Sequence, residues 1–154
     1  NRNHVLIDYN YILNNPKNWK GYGKNYWGLT ASYTRNSDGS TGYTAHSPDN
    51  DTGIISPTAA LSSFPYTPKE SMDFLRYIYT EKPEFIGVAG PYDATSIHYD
   101  NWFTPRYLAI DQGTISPMIE NYRTGLLWKL FMNATDIQQG LKKLSFKSEK
   151  YQIK

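Results

Sequence analysis

The chain has 154 residues and a formal net charge of +2, a length that fits a single domain with a real core. Basic residues are concentrated at its end, which predicts a basic tail at 147–154 and not the basic surface stripe that nucleic-acid binding requires. The sequence has no cysteine, which excludes disulfides, thiolate metal sites and a cysteine nucleophile. No apolar run approaches the roughly 20 residues of a membrane span, and no signal segment opens the chain.

Aromatic residues are unusually frequent, with four Trp and fourteen Tyr in a chain whose charged residues make up only 19%. Tyrosine and tryptophan combine an apolar face with a polar edge, which suits sugar rings that are apolar on one face and hydroxylated at the rim. The composition therefore favours a sugar-binding groove and a Tyr-rich core or interface equally.

The first predicted element is an amphipathic helix over 2–14, ended by Asn14-Asn15-Pro16. No capping signature precedes it, so we expect its beginning to lie outside the chain. Residues 17–51 are rich in Gly, Pro, Ser and Tyr and predict a long functional loop with short extended pieces at 27–32 and 43–46.

Four more helices follow in the prediction. Ser56-Pro57 begins a short one, and Thr67-Pro68-Lys69-Glu70 is a capping box that begins a helix ending near Lys82. Residues 85–99 are irregular or briefly extended, and Ser116-Pro117 begins an apolar helix that runs to Asn133 and is expected to be buried on most sides. A last amphipathic helix begins near Thr135. Helices joined by such long loops favour part of a larger helical barrel over a freestanding bundle.

Three carboxylates lie among aromatic residues and glycines: Asp93, Asp111 and Glu120. Hydrolysis of a glycosidic bond needs two carboxyl groups, one to protonate the leaving oxygen and one to activate water or attack. Structural alternatives stay open, because Asp111 could be a helix N-cap or lie near the helix dipole. Glu120 could equally form an ion pair with Arg123, three residues on.

Histidines give no metal-binding pattern. His46 precedes a turn and could bind a sugar hydroxyl, orient a carboxylate, or act only as a local structural donor. His4 and His98 have no acidic or histidine partner at metal spacing, and neither a glycine-rich phosphate loop nor a nucleophile elbow is present. We therefore expect no metal and no cofactor.

Several longer motifs resemble a known family. They are the segments 27–32 (WGLTAS), 45–48 (AHSP), 55–63 (ISPTAALSS), 66–68 (YTP), 107–113 (YLAIDQG) and 119–128 (IENYRTGLLW). They are similar to the carboxyl-terminal part of the glucoamylase-like family, which includes endo-β-1,2-glucanases, over about residues 20–146. The resemblance implies a mainly α fold, with 1–154 as the carboxyl-terminal part of one (α/α)6 toroid whose missing part would hold some of the active site. The family commonly has an aspartate after the 30–32 segment, where this chain has Tyr33, which puts substrate linkage in doubt.

The resulting hypothesis is an inverting glycoside hydrolase that acts on a β-glucan oligo- or polysaccharide, with Asp111 and Glu120 as leading carboxylates and Asp93 as a third. We expect substrate contacts from Trp27, His46, Tyr92, Trp102, Tyr107 and Arg123. The alternative is a non-catalytic carbohydrate-binding or structural fragment. We expect the 154 residues alone to be inactive and to self-associate through exposed apolar faces. We also expect a bacterial protein that is periplasmic or secreted, with a lipid anchor as an alternative.

Overall fold

The computed structural model describes residues 1–153 and contains two compact units, Asn1–Ile119 and Glu120–Lys154. It is rich in helix and has three small two-stranded sheets, as the sequence predicts. The helices are α1 (Arg2–Asn14), α2 (Pro57–Leu61), α3 (Pro68–Thr80), α4 (Ala109–Arg123), α5 (Leu126–Asn133) and α6 (Thr135–Lys143). The strands are β1 (Ala31–Arg35), β2 (Thr41–Ala45), β3 (Ile86–Gly87), β4 (Gly90–Pro91), β5 (Thr95–Ser96) and β6 (Trp102–Phe103).

Helix α1 has the predicted bounds. Its carboxyl end is closed by Asn15, which adopts the left-handed conformation and donates its N–H to the carbonyl of Tyr11. Asparagine tolerates that conformation, and Pro16 cannot continue the helix. The predicted stop is thus confirmed by its local chemistry.

The long polar segment 17–51 is held in place by hydrogen bonds to one buried carboxylate, that of Asp51. Asp51 accepts hydrogen bonds from the Tyr11 hydroxyl at 2.9 Å, the Trp19 indole N–H at 2.8 Å and the Tyr22 hydroxyl at 2.7 Å. The N–H of Gly53 donates to the same carboxylate at 3.0 Å. Burial and the bond to Asp51 raise the pKa of the Tyr22 hydroxyl, so this hydroxyl stays a proton donor.

Strands β1 and β2 form an antiparallel hairpin in which Tyr33 lies opposite Tyr43. Successive side chains of a strand point to opposite faces. Ser32 and Thr34 are accordingly buried, whereas Tyr33 lies on the more open face. The predicted extended pieces at 27–32 and 43–46 are therefore strands shifted by a few residues.

Helix α3 begins at Pro68 as predicted, but the expected capping box is wrong. The Thr67 side chain makes no cap bond to the first turn and instead donates its hydroxyl to the Ser63 carbonyl at 3.3 Å. Thr67 is fully buried, so its hydroxyl needs a partner in the core, and the preceding turn supplies one.

Helix α4 corrects another prediction. It begins at Ala109, well before Ser116-Pro117, and continues through Pro117. A proline ring crowds the carbonyl four residues earlier. Here that residue is Gly113, and the helix continues past Pro117 although proline has no N–H to bond the Gly113 carbonyl.

The expected burial of the following segment is also wrong. Gly125 adopts the left-handed conformation at φ 70° and separates α5 from α4. On α5, Leu130 is 61% exposed and Phe131 is 57% exposed. Apolar periodicity reports which residues share a face, but it does not report whether another element covers that face.

The core belongs to the first unit and is largely aromatic. Tyr26 stacks against Phe74 and Phe85, and Trp27 meets Tyr9 edge-on at 5.1 Å. Among the described residues no helix has both the length and the apolarity of a membrane span. Within the predicted tail, 147–153 form neither helix nor strand, and Lys154 lies outside the described residues.

Candidate functional site

The fold brings two of the predicted carboxylates into direct contact. The Asp111 carboxyl, 18 positions along the chain, is close enough to raise the pKa of Asp93 through its charge and through a hydrogen bond to the protonated form of Asp93. One oxygen of each carboxyl, Asp93 Oδ1 and Asp111 Oδ2, is buried and receives no bond from any N–H or hydroxyl group within residues 1–153. A proton shared between the two carboxyls satisfies both oxygens.

The surroundings of Asp93 favour its protonated form. Asp93 is only 4% exposed. Burial raises the pKa of its carboxyl to about 7, the hydrogen bond and charge of Asp111 add to the rise, and the Tyr33 N–H opposes it. That N–H donates to Asp93 Oδ2 at 2.8 Å, which fixes the orientation of the carboxyl.

Short strands and loop contacts hold Asp93 in place. Its own N–H donates to the Arg106 carbonyl at 3.2 Å, and β5 pairs with β6 immediately after it. On the other side, the Gln112 amide donates to the carbonyls of Ala89 at 2.8 Å and Pro91 at 3.0 Å. Gln112, the residue after Asp111, thus holds the segment 89–91, which lies just before Asp93 in the chain.

Asp111 lies in the first turn of α4, where the partial positive charge of the helix favours an anion. Of the two structural alternatives, its position fits the dipole and not the N-cap. Its backbone carbonyl accepts hydrogen bonds from the Thr58 hydroxyl at 2.8 Å and the Thr114 hydroxyl at 2.9 Å. These bonds connect the start of α4 to α2.

Asp111 lines a cavity of about 640 Å³ within the first unit. The wall includes Asp8, a site residue that the sequence interpretation missed. Burial raises the pKa of Asp8 to about 6, although the Leu29 N–H bonds its carboxylate at 2.9 Å and acts against the rise. A sequence signal existed, because an acidic residue between Val5 and Ile12 interrupts the apolar stripe of α1.

His46 is buried, and both of its ring nitrogens have partners inside the protein. Nε2 lies 3.2 Å from the Tyr33 carbonyl, which requires a proton on Nε2, and Nδ1 lies 3.1 Å from the Thr52 hydroxyl. Burial lowers the pKa of the imidazole, so the ring is held neutral. These contacts favour the structural interpretation of His46 over a direct sugar contact.

The sequence matches a known family over most of its length. Residues 1–135 fit the Glycoamylase family model, described as "Putative glucoamylase". The chain belongs to the Glycoamylase family.

Named relatives of this Glycoamylase member act on β-1,2-glucans. The chain is 41% identical over 147 residues to an exo β-1,2-glucooligosaccharide sophorohydrolase of Parabacteroides distasonis, covering 94% of this chain and 20% of that protein. A solved endo-β-1,2-glucanase from Chitinophaga pinensis, in complex with sophorotriose and glucose, is 52% identical at a TM-score of 0.87, covering 96% of this chain and 35% of that one. A solved β-1,2-glucanase from Parabacteroides distasonis is 39% identical at a TM-score of 0.85, covering 92% and 20%. The chain therefore spans between a fifth and about a third of these relatives.

The predicted aromatic contacts lie at different depths in this Glycoamylase member. Trp27 is fully buried and its indole N–H donates to the Glu70 carbonyl at 3.3 Å, which favours a core role. Tyr92 stacks on Phe103 with 4.9 Å between the ring centroids, and the ring centroid of Tyr107 lies 5.4 Å from that of Tyr92. Trp102 lies half-buried on β6.

Glu120 and Arg123 belong to the second unit. The Arg123 guanidinium lies 3.4 Å from the Glu120 carboxylate, and the Thr124 hydroxyl donates to the same carboxylate at 2.7 Å. Both contacts are local to one helix turn and favour the ion-pair alternative. Within residues 1–153, no three His, Asp or Glu side chains are grouped closely enough to hold a metal ion.

Proposed function

We propose that these residues form the carboxyl-terminal part of an (α/α)6 toroid in a glycoside hydrolase that cleaves β-1,2-linked glucans. The observation that carries the proposal is the carboxyl pair of Asp93, which is buried, and Asp111, which lines a cavity. Clustered carboxyls whose pKa values are pushed away from the ordinary range are typical of catalytic sites. The activities named for the relatives support the choice of linkage, and the substrate would be an oligo- or polysaccharide.

The contact between the two carboxyls limits the catalytic roles that they can have. The two acting carboxyls of a glycosidase are separated by roughly 5 to 9.5 Å, because the sugar or a water lies between them. Asp93 and Asp111 share a hydrogen bond, so they act as one unit on the same side of the scissile bond. The general acid is then a different carboxyl, supplied by the rest of the complete protein.

Within this unit, Asp111 is the base and Asp93 is its positioning partner. The raised pKa of Asp93 makes Asp93 the carrier of the shared proton, and Asp111 is the carboxyl that lines the cavity. Asp111 takes a proton from water as the water oxygen bonds to the anomeric carbon. The bond from that carbon to the leaving oxygen breaks, and the general acid protonates this oxygen. The product has inverted configuration.

The test is made in the complete protein with soluble β-1,2-glucan. Asp111→Asn removes the base and should lower kcat about 10³-fold with the fold retained, as general-base losses do. Glu120→Gln is the matched carboxylate control and should leave kcat within about threefold, because its contacts are local. Normal turnover by Asp111→Asn, or loss of turnover by Glu120→Gln alone, contradicts the assignment. Binding of sophorotriose without any release of reducing sugar by the parent protein would instead support the non-catalytic alternative.

A further inference from the structure

The β1–β2 hairpin presents two aromatic rings on one face. Tyr33 and Tyr43 are cross-strand partners, and their ring centroids lie 6.2 Å apart in an edge-to-face contact. An edge-to-face contact covers at most one face of Tyr43. Tyr43 as a residue is 57% exposed, so part of its apolar surface remains open to solvent.

The same hairpin is bonded directly to the carboxyl pair. The Tyr33 N–H that holds Asp93 Oδ2 at 2.8 Å lies opposite Tyr43 in the strand register. Tyr43 also lines the cavity that Asp111 lines, together with Thr30 and Ala31 at the base of the hairpin. A sugar ring placed on Tyr43 therefore lies in the same cavity as the proposed base.

Three contacts keep this face in a defined position. The Arg106 guanidinium lies 5.6 Å over the Tyr33 ring, and the His46 ring donates to the Tyr33 carbonyl. At the base of the hairpin, the Asn50 amide donates to the Ala45 carbonyl at 2.8 Å. A surface that is already ordered loses little conformational entropy when a ligand binds.

We propose that Tyr43, backed by Tyr33, is a stacking platform for one glucosyl ring of the β-glucan chain, adjacent to the carboxyl pair. This proposal rests on the proposed function, since it assigns a subsite of the same site. The apolar face of a glucosyl ring matches the open face of Tyr43. Of the other aromatic candidates, Trp27 is fully buried, and Tyr92, Trp102 and Tyr107 do not line this cavity.

The experiment measures sophorotriose binding by calorimetry on the complete protein carrying Asp111→Asn, which prevents turnover. Adding Tyr43→Ala should weaken the affinity about tenfold, the size of a lost aromatic stacking contact. Adding Tyr43→Phe keeps the ring and should leave the affinity within about twofold. Tyr79→Ala removes a tyrosine of similar exposure on α3, outside the cavity wall, and should have no effect.

The outcomes separate the platform from the hydrolase assignment. Unchanged affinity of Tyr43→Ala, equal losses for Tyr43→Ala and Tyr43→Phe, or no sophorotriose binding in the Asp111→Asn background overturns the platform. In otherwise unmodified protein, Tyr43→Ala should raise KM about tenfold and leave kcat within about twofold. If the parent protein binds sophorotriose through Tyr43 but releases no sugar, the proposed hydrolysis fails and the platform stands.

Discussion

Replacement of Asp93 by asparagine tests whether the carboxyl pair shares a proton. The asparagine oxygen can still accept the Tyr33 N–H, and its amide N–H can donate to Asp111 as the shared proton does. Asp93→Asn therefore keeps the hydrogen bonds of the pair and removes only the ionisation of Asp93. Any difference in pH dependence between the two proteins reports that ionisation.

The raised pKa of Asp93 gives the sign and the size of the change in the free energy of unfolding with pH. Below about pH 4 the carboxyl is protonated in the folded and unfolded states alike. Between about pH 4 and pH 7 the unfolded chain ionises while the folded protein keeps its proton, so the free energy of unfolding falls as the pH rises. Each pKa unit is worth about 1.4 kcal/mol, which sets an upper limit of about 4 kcal/mol. Because Asp111 shares the proton, we expect about 2 kcal/mol.

The assay is urea unfolding of the complete protein and its Asp93→Asn variant from pH 4.5 to 8. The variant should gain about 2 kcal/mol relative to the parent across this range. The buried carboxyl of Asp8 titrates in the same sense in both proteins and cancels in the difference. Asp136→Asn removes an exposed carboxylate of α6 and controls for the loss of a charge. A stability difference that stays constant with pH would show that the pair holds no shared proton.

Two further substitutions test the supports of the site. Thr58→Val removes the hydroxyl that holds the Asp111 carbonyl and should lower kcat about tenfold and stability by about 1 kcal/mol, whereas Thr58→Ser should restore both. Equal kinetics of the valine and serine variants would exclude a positioning role. Asp51→Ala leaves the half-buried donors of Trp19 and Tyr22 without their carboxylate and should cost about 3 kcal/mol in urea unfolding. A loss below about 0.5 kcal/mol would contradict the claim that Asp51 orders the 17–51 segment.

Local chemistry determined the elements whose signals lie within a few residues. The stop of α1 at Asn15 and the start of α3 at Pro68 were predictable because a cap or a proline acts on its own turn. Pro117 misled the prediction of α4, because proline is favoured at the first position of a helix and here the helix extends to both sides of it. The Thr67 hydroxyl likewise followed its burial and not its capping motif.

The sequence by itself determined the aromatic and carboxylate inventory, the family resemblance and the helices with strong local signals. Only the tertiary structure decided which carboxylates meet: Asp93 with Asp111, and Asp8 at the wall of the same cavity. It also placed the Tyr33 N–H on Asp93, across 60 positions of sequence. These contacts depend on how separate elements pack against one another. Packing depends on the shapes and burial of side chains throughout the core, and the spacing of residues along the chain does not encode that packing.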